Sequence, residues 1–554
     1  SEIAVRDGAR AVILPTVAEV GGRVRVSAEV IDPQSQTTVY AEYADGSGLG
    51  SVLASVDAVT AALRARLGEE IKAIERDSEP LPQVSTANLD ALRAYALGQK
   101  AFARGDDEAA LRFYRHATDR DPEFALAWIG QVRALYSGVQ TEAAMPALRK
   151  AQQLRDRLAP REALYVDAWV LDFDQPAAAL AKWRELAQLY PDFMAAQVNT
   201  AWALFVRNEF EAALPYIQRW RGMQSESRGM ANDMYGRVLL AQGKHAAAIA
   251  AFAEAEQLGY AGARRRLAAA YAAADRPEMA ERTLARTAPT DRYPYLDKVA
   301  LAADRGRWPE MRRQAERMLE LVGNERGLDS RAFLMPVAVA DWLAGDFEEA
   351  RRKVSEAAQR ALDALASEYD PDALDDAQLA LSAAIFAQRL GDHSVARNAL
   401  AELAGRDDLR AHPSVSELET VVRANQLRSS GQPRAAIELL RPLVEAESAR
   451  FETMLAMLDA AQAAGDVQLA LAQVQQLRAR RGLAYIQSGC DQCLQAYNVA
   501  AGNIALLRES ELRLESGDVA GARMALAGFD QRWPPRILPA YLRTRRDALV
   551  LASK

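Results

Sequence analysis

The only two cysteines of this 554-residue chain, Cys490 and Cys493, stand together in the stretch SGCDQCLQAY. Two thiols at this spacing form a redox pair, supply half of a metal site or close a short disulfide loop. No histidine lies near them in the sequence, so a four-ligand zinc site needs ligands from distant residues or another chain. A helix predicted over LQAYNVAAGNIALL favours a thiolate at its start, which leaves redox chemistry open. The choice depends on the compartment and on the element that carries the motif.

Other residues with the chemistry of an active site are sparse. GSGLGS, which ends at Ser51, has the composition of a phosphate-binding loop but lacks the full G-x-G-x-x-G spacing and a Lys-Ser/Thr ending. The four histidines are far apart, and Asp375 and Asp376 are adjacent rather than on one helix face. No H-E-x-x-H, G-x-S-x-G or EF-hand pattern occurs. We therefore predict that this region is not an enzyme and that it has no catalytic residue, no metal site and no cofactor.

Composition and net charge argue against some classes of binding partner. Apolar residues make up 50% of the chain and charged residues 26%, the balance of a soluble globular protein. The net charge of -7 argues against nucleic acid or an anionic membrane as a partner. No apolar run approaches the roughly 18 to 20 residues of a membrane span, so we expect no direct membrane insertion.

The first part of the chain has the pattern of a small sheet covered by one helix. In RVRVSAEV, Val24, Val26, Ala28 and Val30 alternate with polar residues, which predicts a strand with one buried face. The flanking segments AVILP and TTVYAEYA are similarly rich in strand formers. Apolar residues at helical spacing predict a covering helix from about Ser51 to Arg76; they are Val52, Val56, Val59, Leu63, Leu67, Ile71 and Ile74. The predicted domains are a small α/β domain over 1–77 and a linker over 78–88.

From residue 89 onward a short sequence pattern recurs between predicted helices: a glycine or asparagine with a neighbouring acidic residue, followed by alanines. We call this pattern the mark. The mark appears as ARGDDEAA, VRNEFEAA, AQGKHAAA, LAGDFEEA, RLGDHSVA, SSGQPRAA, AAGDVQLA and ESGDVAGA, mostly at intervals of roughly 30 to 46 residues. The closest template is the 34-residue tetratricopeptide repeat, TPR. Gly98 and Gly236 fit its close-approach position, and Tyr114 and Phe252 fit its aromatic position. The predicted fold is mainly α: a right-handed TPR-like solenoid of about 11 to 12 hairpins over 89–554, preceded by the α/β domain.

A solenoid of this kind lines a concave groove with the first helix of each hairpin. Inward-facing repeat positions hold the candidate groove residues Tyr95, Gln99, Phe102, Arg133, Tyr136, Trp202, Phe205, Asp233 and Arg237. Aromatic side chains beside arginine dominate interface hot spots, so we expect a peptide or protein ligand in the groove. For Phe102, Trp202 and Phe205 the alternative is packing between repeats.

Two stretches carry a more specific resemblance. GARAVILPTVAEVGGRVRVSAEVIDPQSQTTVYAEYADG, then a helix, a linker and ANLDALRAYALGQKAFARGDDEAALRFYRHATDRDPEFALAWIG, resemble the C-terminal region of bacterial membrane-anchored signalling proteins. Those proteins join a kinase, winged-helix or class III nucleotidyl cyclase module to a transmembrane helix, a small α/β domain and TPR repeats. The peptide modification system cyclases are the most similar. The resemblance implies a sensor or regulatory region that begins inside the α/β domain, with a catalytic module preceding it in the full-length protein.

The resemblance also bears on location and function. It implies the periplasmic side of the cytoplasmic membrane, where oxidation favours a local disulfide between Cys490 and Cys493; the alternative location is the cytoplasm. Because such a loop is short, the bridge would fix the start of a helix rather than hold the fold together. The leading hypothesis is a non-enzymatic scaffold that binds a peptide or protein in a signalling receptor. The alternative is solenoid-mediated homodimerisation that assembles linked catalytic domains.

Overall fold

The computed structural model describes residues 11–68, 85–138, 140–223, 225, 227–323 and 327–554. The predicted end of the first helix, with Ile71 and Ile74, and residues 78–84 of the predicted linker lie outside these ranges. By its backbone contacts the chain divides into two compact units. The first unit contains the described residues up to Phe102, with Asp107–Leu135 and Pro146–Asp167. The second unit contains Ala103–Asp106, Tyr136–Met145 and Ala168–Lys554.

The first unit begins with a three-stranded antiparallel sheet in the order β1-β2-β3. Its strands are β1 Val12–Val20, β2 Arg23–Ile31 and β3 Thr38–Ser47. Gly21 and Gly22 join β1 to β2 with φ angles of 61° and 78°, a two-residue turn for which glycine is the natural choice. The register places Val26 opposite Val17 on one side and Ala44 on the other.

The core of this sheet follows the alternation of β2. Val24, Val26, Ala28 and Val30 are buried, while the intervening residues are exposed or half-buried. Helix α1, Val52–Arg66, covers this face, and its Val59 and Leu63 belong to the same apolar cluster. The prediction of a half-buried strand under a helix is therefore confirmed.

Residues beyond the sheet domain form helices that follow one another in pairs joined by short turns. The pairs are α2 Leu89–Ala103 and α3 Asp107–Arg120; α4 Ala125–Ser137 and α5 Thr141–Gln153; α6 Pro160–Asp174 and α7 Pro176–Leu189; α8 Met194–Phe205 and α9 Phe210–Gly222; α10 Arg228–Ala241 and α11 His245–Gln257; α12 Ala263–Ala273 and α13 Pro277–Leu284; α14 Pro294–Asp304 and α15 Trp308–Val322; α17 Leu334–Ala344 and α18 Phe347–Leu365; α19 Ala373–Arg389 and α20 Ser394–Leu403; α22 Pro413–Ser429 and α23 Pro433–Val444; α24 Phe451–Ala463 and α25 Val467–Ala479; α27 Gln495–Glu515 and α28 Val519–Arg532. The remaining helices are α16 Leu328–Ala332, α21 Asp407–Arg410, α26 Arg481–Ile486 and α29 Ala540–Ala552. The fold is thus a TPR-like array of helical hairpins preceded by a small α/β domain.

The repeated Gly-Asp mark ends one helix and starts the next. Gly345 and Gly465 have φ angles of 91° and 72°, a left-handed conformation that closes a helix and that glycine adopts without strain. The following residues, Asp346 and Asp466, accept backbone N–H hydrogen bonds at the start of α18 and α25. The same two residues therefore supply both the C-terminal and the N-terminal signal of a hairpin turn.

Small residues let the paired helices approach closely. A Cβ atom on Gly98 or on Gly130 would lie 2.6 Å from the ring of Tyr114, which is fully buried. In the second unit a Cβ atom on Gly236 would lie 2.7 Å from the ring of Phe252. The two glycine and aromatic positions taken from the TPR template therefore pack as the sequence predicts.

One region of the second unit departs from a simple array. Helices α26 and α27 contact the first helices of several distant hairpins, namely α10, α12, α14 and α17. A plain solenoid would bury its core only between neighbouring repeats. None of the described helices combines the length and apolar character needed to cross a membrane.

Candidate peptide-binding surfaces

The candidate groove residues of α2 lie in the first unit and are half-buried. The ring of Tyr95 packs 5.7 Å from that of Tyr114 and 5.0 Å from that of Phe124. The Gln99 side-chain amide donates to the Tyr95 hydroxyl at 2.9 Å, and the Tyr114 hydroxyl donates to the Gln99 carbonyl oxygen at 2.8 Å. Burial raises the pKa of Tyr95, and raises that of Tyr114 to about 12, so both phenols stay protonated. Tyr95 and Gln99 therefore anchor the hairpin.

Arg133 on α4 is the candidate cation of the first unit. Its guanidinium lies 4.3 Å from the centroid of the Phe102 ring, within the range of a cation–π contact. The side chain also hydrogen-bonds to Tyr165 and remains half-buried. Phe102 packs partly against the cluster around Tyr114. Arg133 and Phe102 thus form a stacked pair that still reaches solvent.

Tyr136 is the most accessible aromatic of the candidate groove residues in the second unit. Its ring is 36% exposed, yet it meets Trp169 and Phe173 edge-on at 5.4 and 5.8 Å. The indole N–H of Trp202 donates to the Tyr136 hydroxyl. Trp202 is half-buried and stacks on Phe205, with 5.8 Å between the ring centroids. Tyr136 and Trp202, with the buried rings of Trp169 and Phe173 behind them, are called the aromatic surface below.

Carboxyl groups lie beside the aromatic surface. Burial raises the pKa of Tyr136, and the nearby carboxylates of Asp172 and Asp375 raise it further. Burial also raises the pKa of Asp172 to about 7, although the Trp183 indole N–H donates to this carboxyl at 2.9 Å and opposes the change. Burial and the neighbouring Asp372 raise the pKa of Asp375 to about 7. The surroundings of Tyr136 therefore carry acidic groups that a cation would stabilise in their charged form.

The remaining candidate groove residues of the second unit are in the protein interior. Phe205 and Asp233 are each 1% exposed and Arg237 is 9% exposed. Arg237 Nε lies 2.8 Å from Asp233 Oδ2, and Arg266 Nε lies 3.7 Å from the same oxygen. Burial, with the repulsion of Arg237, lowers the pKa of Arg266 to about 10. Asp233 thus lies between the buried Arg237 and the half-buried Arg266.

In the later hairpins the inner helices bind a segment of the same chain. Gln495 on α27 donates to Asp297 of α14 at 2.9 Å. Arg481 on α26 and Asn503 on α27 both donate to Asp304, at 2.8 and 3.0 Å. Positions that a simple groove would offer to an external peptide are therefore occupied by residues 481–515. The polar Gln495, Asn498 and Asn503 among the apolar residues of the first half of α27 are the sequence signal that could have revealed this.

Cys490 and Cys493 form a disulfide bridge in the structure, and both are buried. Cys490 begins a short 3-10 helix, Cys490–Gln492, that precedes α27. The Cys490 N–H donates to the Gln378 side-chain oxygen at 3.1 Å. The bridge therefore lies at the point where the chain enters the inner face of the array.

Three carboxylates of the second unit are close enough to suggest a cation site. Asp370, Asp372 and Asp376 each offer an oxygen within 4.8 Å of the others. Arg331 already engages both oxygens of Asp376, at 2.8 and 2.5 Å. This guanidinium supplies the positive charge that the carboxylates need, and a metal ion would have to displace it.

No protein-family model matches the chain, and no curated protein matches it. Among solved structures, a human IFIT1 dimer with PPP-AAAA is 12% identical, with 70% of this chain and 91% of that chain covered and a TM-score of 0.37. The TPR domain of P58(IPK) is 14% identical, with coverages of 72% and 97% and a TM-score of 0.18. Yeast Tom70 is 12% identical, with coverages of 83% and 96% and a TM-score of 0.29. Similarity at this level says nothing about function.

Proposed function

We propose that this chain is a non-enzymatic protein-interaction scaffold that binds a peptide on the aromatic surface of the second unit. The observation that carries the proposal is that Tyr136 is both exposed and held in a fixed position. The ring is 36% exposed, but Trp169, Phe173 and the Trp202 N–H fix its position. A rigid and accessible aromatic side chain loses little entropy on binding, which is the property of an interface hot spot.

The charges around Tyr136 indicate the chemistry of the ligand. Asp172 and Asp375 lie close enough to raise the pKa of Tyr136, and burial raises their own pKa values to about 7. A lysine or arginine side chain over the aromatic rings would gain cation–π attraction and would also stabilise the ionised carboxylates. We therefore propose a peptide with a basic side chain as the ligand.

A fluorescence-polarisation series with extended dodecapeptides graded in net charge tests this function. We expect basic peptides to bind and Tyr136→Ala to weaken that binding about tenfold or more. Tyr136→Phe keeps the ring and should retain most of the affinity. Leu189→Ala, at an apolar residue that is 58% exposed, is the matched surface control and should bind like the wild type. Equal binding of the basic peptides by the wild type and Tyr136→Ala, or basic peptides that do not bind, would contradict the proposal.

We also propose that the scaffold is the sensor or regulatory region of a bacterial signalling receptor of the cyclase type. The resemblance of the sheet domain and first repeat supports this role, and the Cys490–Cys493 bridge is consistent with a periplasmic location. Mass spectrometry of protein isolated without reductant tests the location. Two free thiols in periplasmic protein would argue against both the bridge and the compartment.

A second candidate function is homodimerisation, and the sheet supplies the observation that favours it. Among the described residues β1 pairs only with β2, which leaves it as an edge strand. Val17 and Val20 on this strand are 58% and 79% exposed. Exposed apolar edge strands pair readily with another chain, and lysine prevents such pairing. Light scattering over a concentration range should show a dimer that Val17→Lys disrupts; a wild-type monomer at every concentration would exclude this function.

A further inference from the structure

The second unit contains a cleft whose charge is opposite to that of the chain as a whole. The cleft has a volume of about 940 Å³ and lies between the turn that joins α14 to α15 and the 3-10 helix Pro535–Ile537 after α28. Its charged lining residues are Arg305, Arg307, Arg313, Arg532, Arg536, Glu281 and Glu310. Arginines therefore outnumber carboxylates here, although the net charge of the chain is -7.

The carboxylates of the second unit neutralise only part of this charge. Arg307 pairs with Glu281 at 2.7 Å, and Arg313 pairs with Glu310. Arg532 pairs with Asp275 at 2.9 Å. The side chains of Arg305 and Arg536 form no hydrogen bond or ion pair with any residue that the structure describes. Both reach solvent, so two guanidinium groups are available to a ligand in the cleft.

Hydrogen bonds and ring contacts hold the two walls of the cleft in place. The Trp308 indole N–H donates to the Ile537 carbonyl at 2.6 Å, and the Trp533 indole N–H donates to the Ala303 carbonyl at 3.0 Å. The two indole rings meet edge to face at 4.9 Å. Gly306 allows the close approach, since a Cβ atom there would lie 2.5 Å from Ile537 Cδ1. The cleft is therefore preformed, and a ligand need not reorganise its walls.

We propose that this cleft binds an acidic peptide segment of a partner protein. The planar guanidinium groups of Arg305 and Arg536 match the geometry of carboxylates, which they bind with two parallel hydrogen bonds. Apolar lining from Trp308, Pro534 and Ile537 suits the carbon skeleton between two carboxylates, which a small inorganic anion would leave uncovered. The site is separate from the aromatic surface around Tyr136 and prefers the opposite charge.

Isothermal titration of the whole chain with the acetylated, amidated peptide Glu-Glu-Leu-Glu-Glu tests the cleft, with inorganic pyrophosphate as the second ligand. We expect the peptide to bind and its affinity to fall as salt rises, because the contact is between charges. Arg305→Glu with Arg536→Glu should lower the affinity at least tenfold. Arg115→Glu with Arg434→Glu changes the net charge equally at exposed arginines and should have little effect. Circular dichroism should show the same thermal transition in both double variants.

Three results would overturn the proposal. One is a peptide that does not bind at millimolar concentration. Another is an equal loss of affinity in the two double variants, which would mean that only the net charge of the chain matters. The third is pyrophosphate that binds as tightly as the peptide and displaces it, which would make the cleft a site for small anions. Tyr136→Ala should leave acidic-peptide binding unchanged, so failure here is distinguishable from failure of the proposed function.

Discussion

Arg133 in the first unit and Arg237 in the second were both predicted to face the groove, but their surroundings are different. Arg133 is half-buried and stacks on the ring of Phe102 at 4.3 Å. Arg237 is 9% exposed and pairs with the buried Asp233 at 2.8 Å. At comparable repeat positions, arginine is therefore partly open to solvent in the first unit and neutralises a buried carboxylate in the second.

This difference follows from what lies opposite the inner helices. In the second unit, α26 contacts α10, the helix that carries Arg237, and α27 contacts the inner helices of later hairpins. A buried cation is tolerated only when a carboxylate compensates for its lost hydration, and Asp233 supplies that compensation. An inner repeat position is therefore a ligand-binding position only where no other part of the chain covers it.

The largest effect that separates the two regions is expected from Asp233→Ala. The substitution leaves the buried Arg237 without its carboxylate and also removes the charge near Arg266, so the free energy of unfolding should fall by about 3–5 kcal/mol. Urea unfolding followed by circular dichroism measures the change. Asp233→Asn, which keeps the size and a hydrogen-bonding oxygen, should lose less. A loss below about 1 kcal/mol for Asp233→Ala would show that the second region is as solvated as the first.

Local features of the fold could be predicted from the sequence because they depend on residues close together in the chain. The alternation of β2 identified its buried face, and the Gly-Asp marks identified hairpin turns whose glycine and cap are adjacent residues. Gly98 and Tyr114 fit the close-approach and aromatic positions of the TPR template, and the structure packs the ring against the glycine.

The occupied inner face could not be predicted, because it depends on contacts between distant parts of the chain. Gln495 and Asn503 bind residues of α14 that are about 200 positions earlier, and repeat spacing does not specify such pairs. Nor does repeat spacing show that Asp233 and Arg237 are buried while Tyr136 stays accessible. Of the aromatic surface, only Tyr136 and Trp202 were among the predicted groove residues. Trp169, Phe173 and the neighbouring carboxyl groups are brought to them by tertiary structure.

A smaller effect is expected from the pH dependence of Asp172, a half-buried carboxyl in the second unit that lacks the close arginine of Asp233. Its pKa is about 7 in the folded chain and about 3.9 in an unfolded chain, so the folded state binds the proton more tightly. Its contribution to stability is therefore complete below the unfolded pKa and is lost as the pH rises through about 7. Between pH 8 and pH 6 the contribution should grow by about 1.4 kcal/mol.

Asp172→Asn isolates this contribution, because the amide does not titrate while Asp375 and the other carboxyls are still present. The free energy of unfolding of the wild type should rise relative to that of Asp172→Asn as the pH falls from 8 to 6. Parallel pH profiles for the two proteins would show that burial does not raise the pKa of Asp172 in the folded chain.

The smallest effect on stability is expected from Arg133→Ala. This substitution is the most direct test of the difference between Arg133 and Arg237. The guanidinium of Arg133 is half-buried and gains mainly a cation–π contact with Phe102, so its removal should lower the free energy of unfolding by less than about 1 kcal/mol. Arg237→Ala leaves Asp233 with only the more distant Arg266 and should cost several times more. Urea unfolding of the two variants side by side measures both values. Equal losses would mean that the exposure of Arg133 does not reflect a surface open to a ligand, whereas a small loss for Arg133→Ala alone keeps this arginine available for binding.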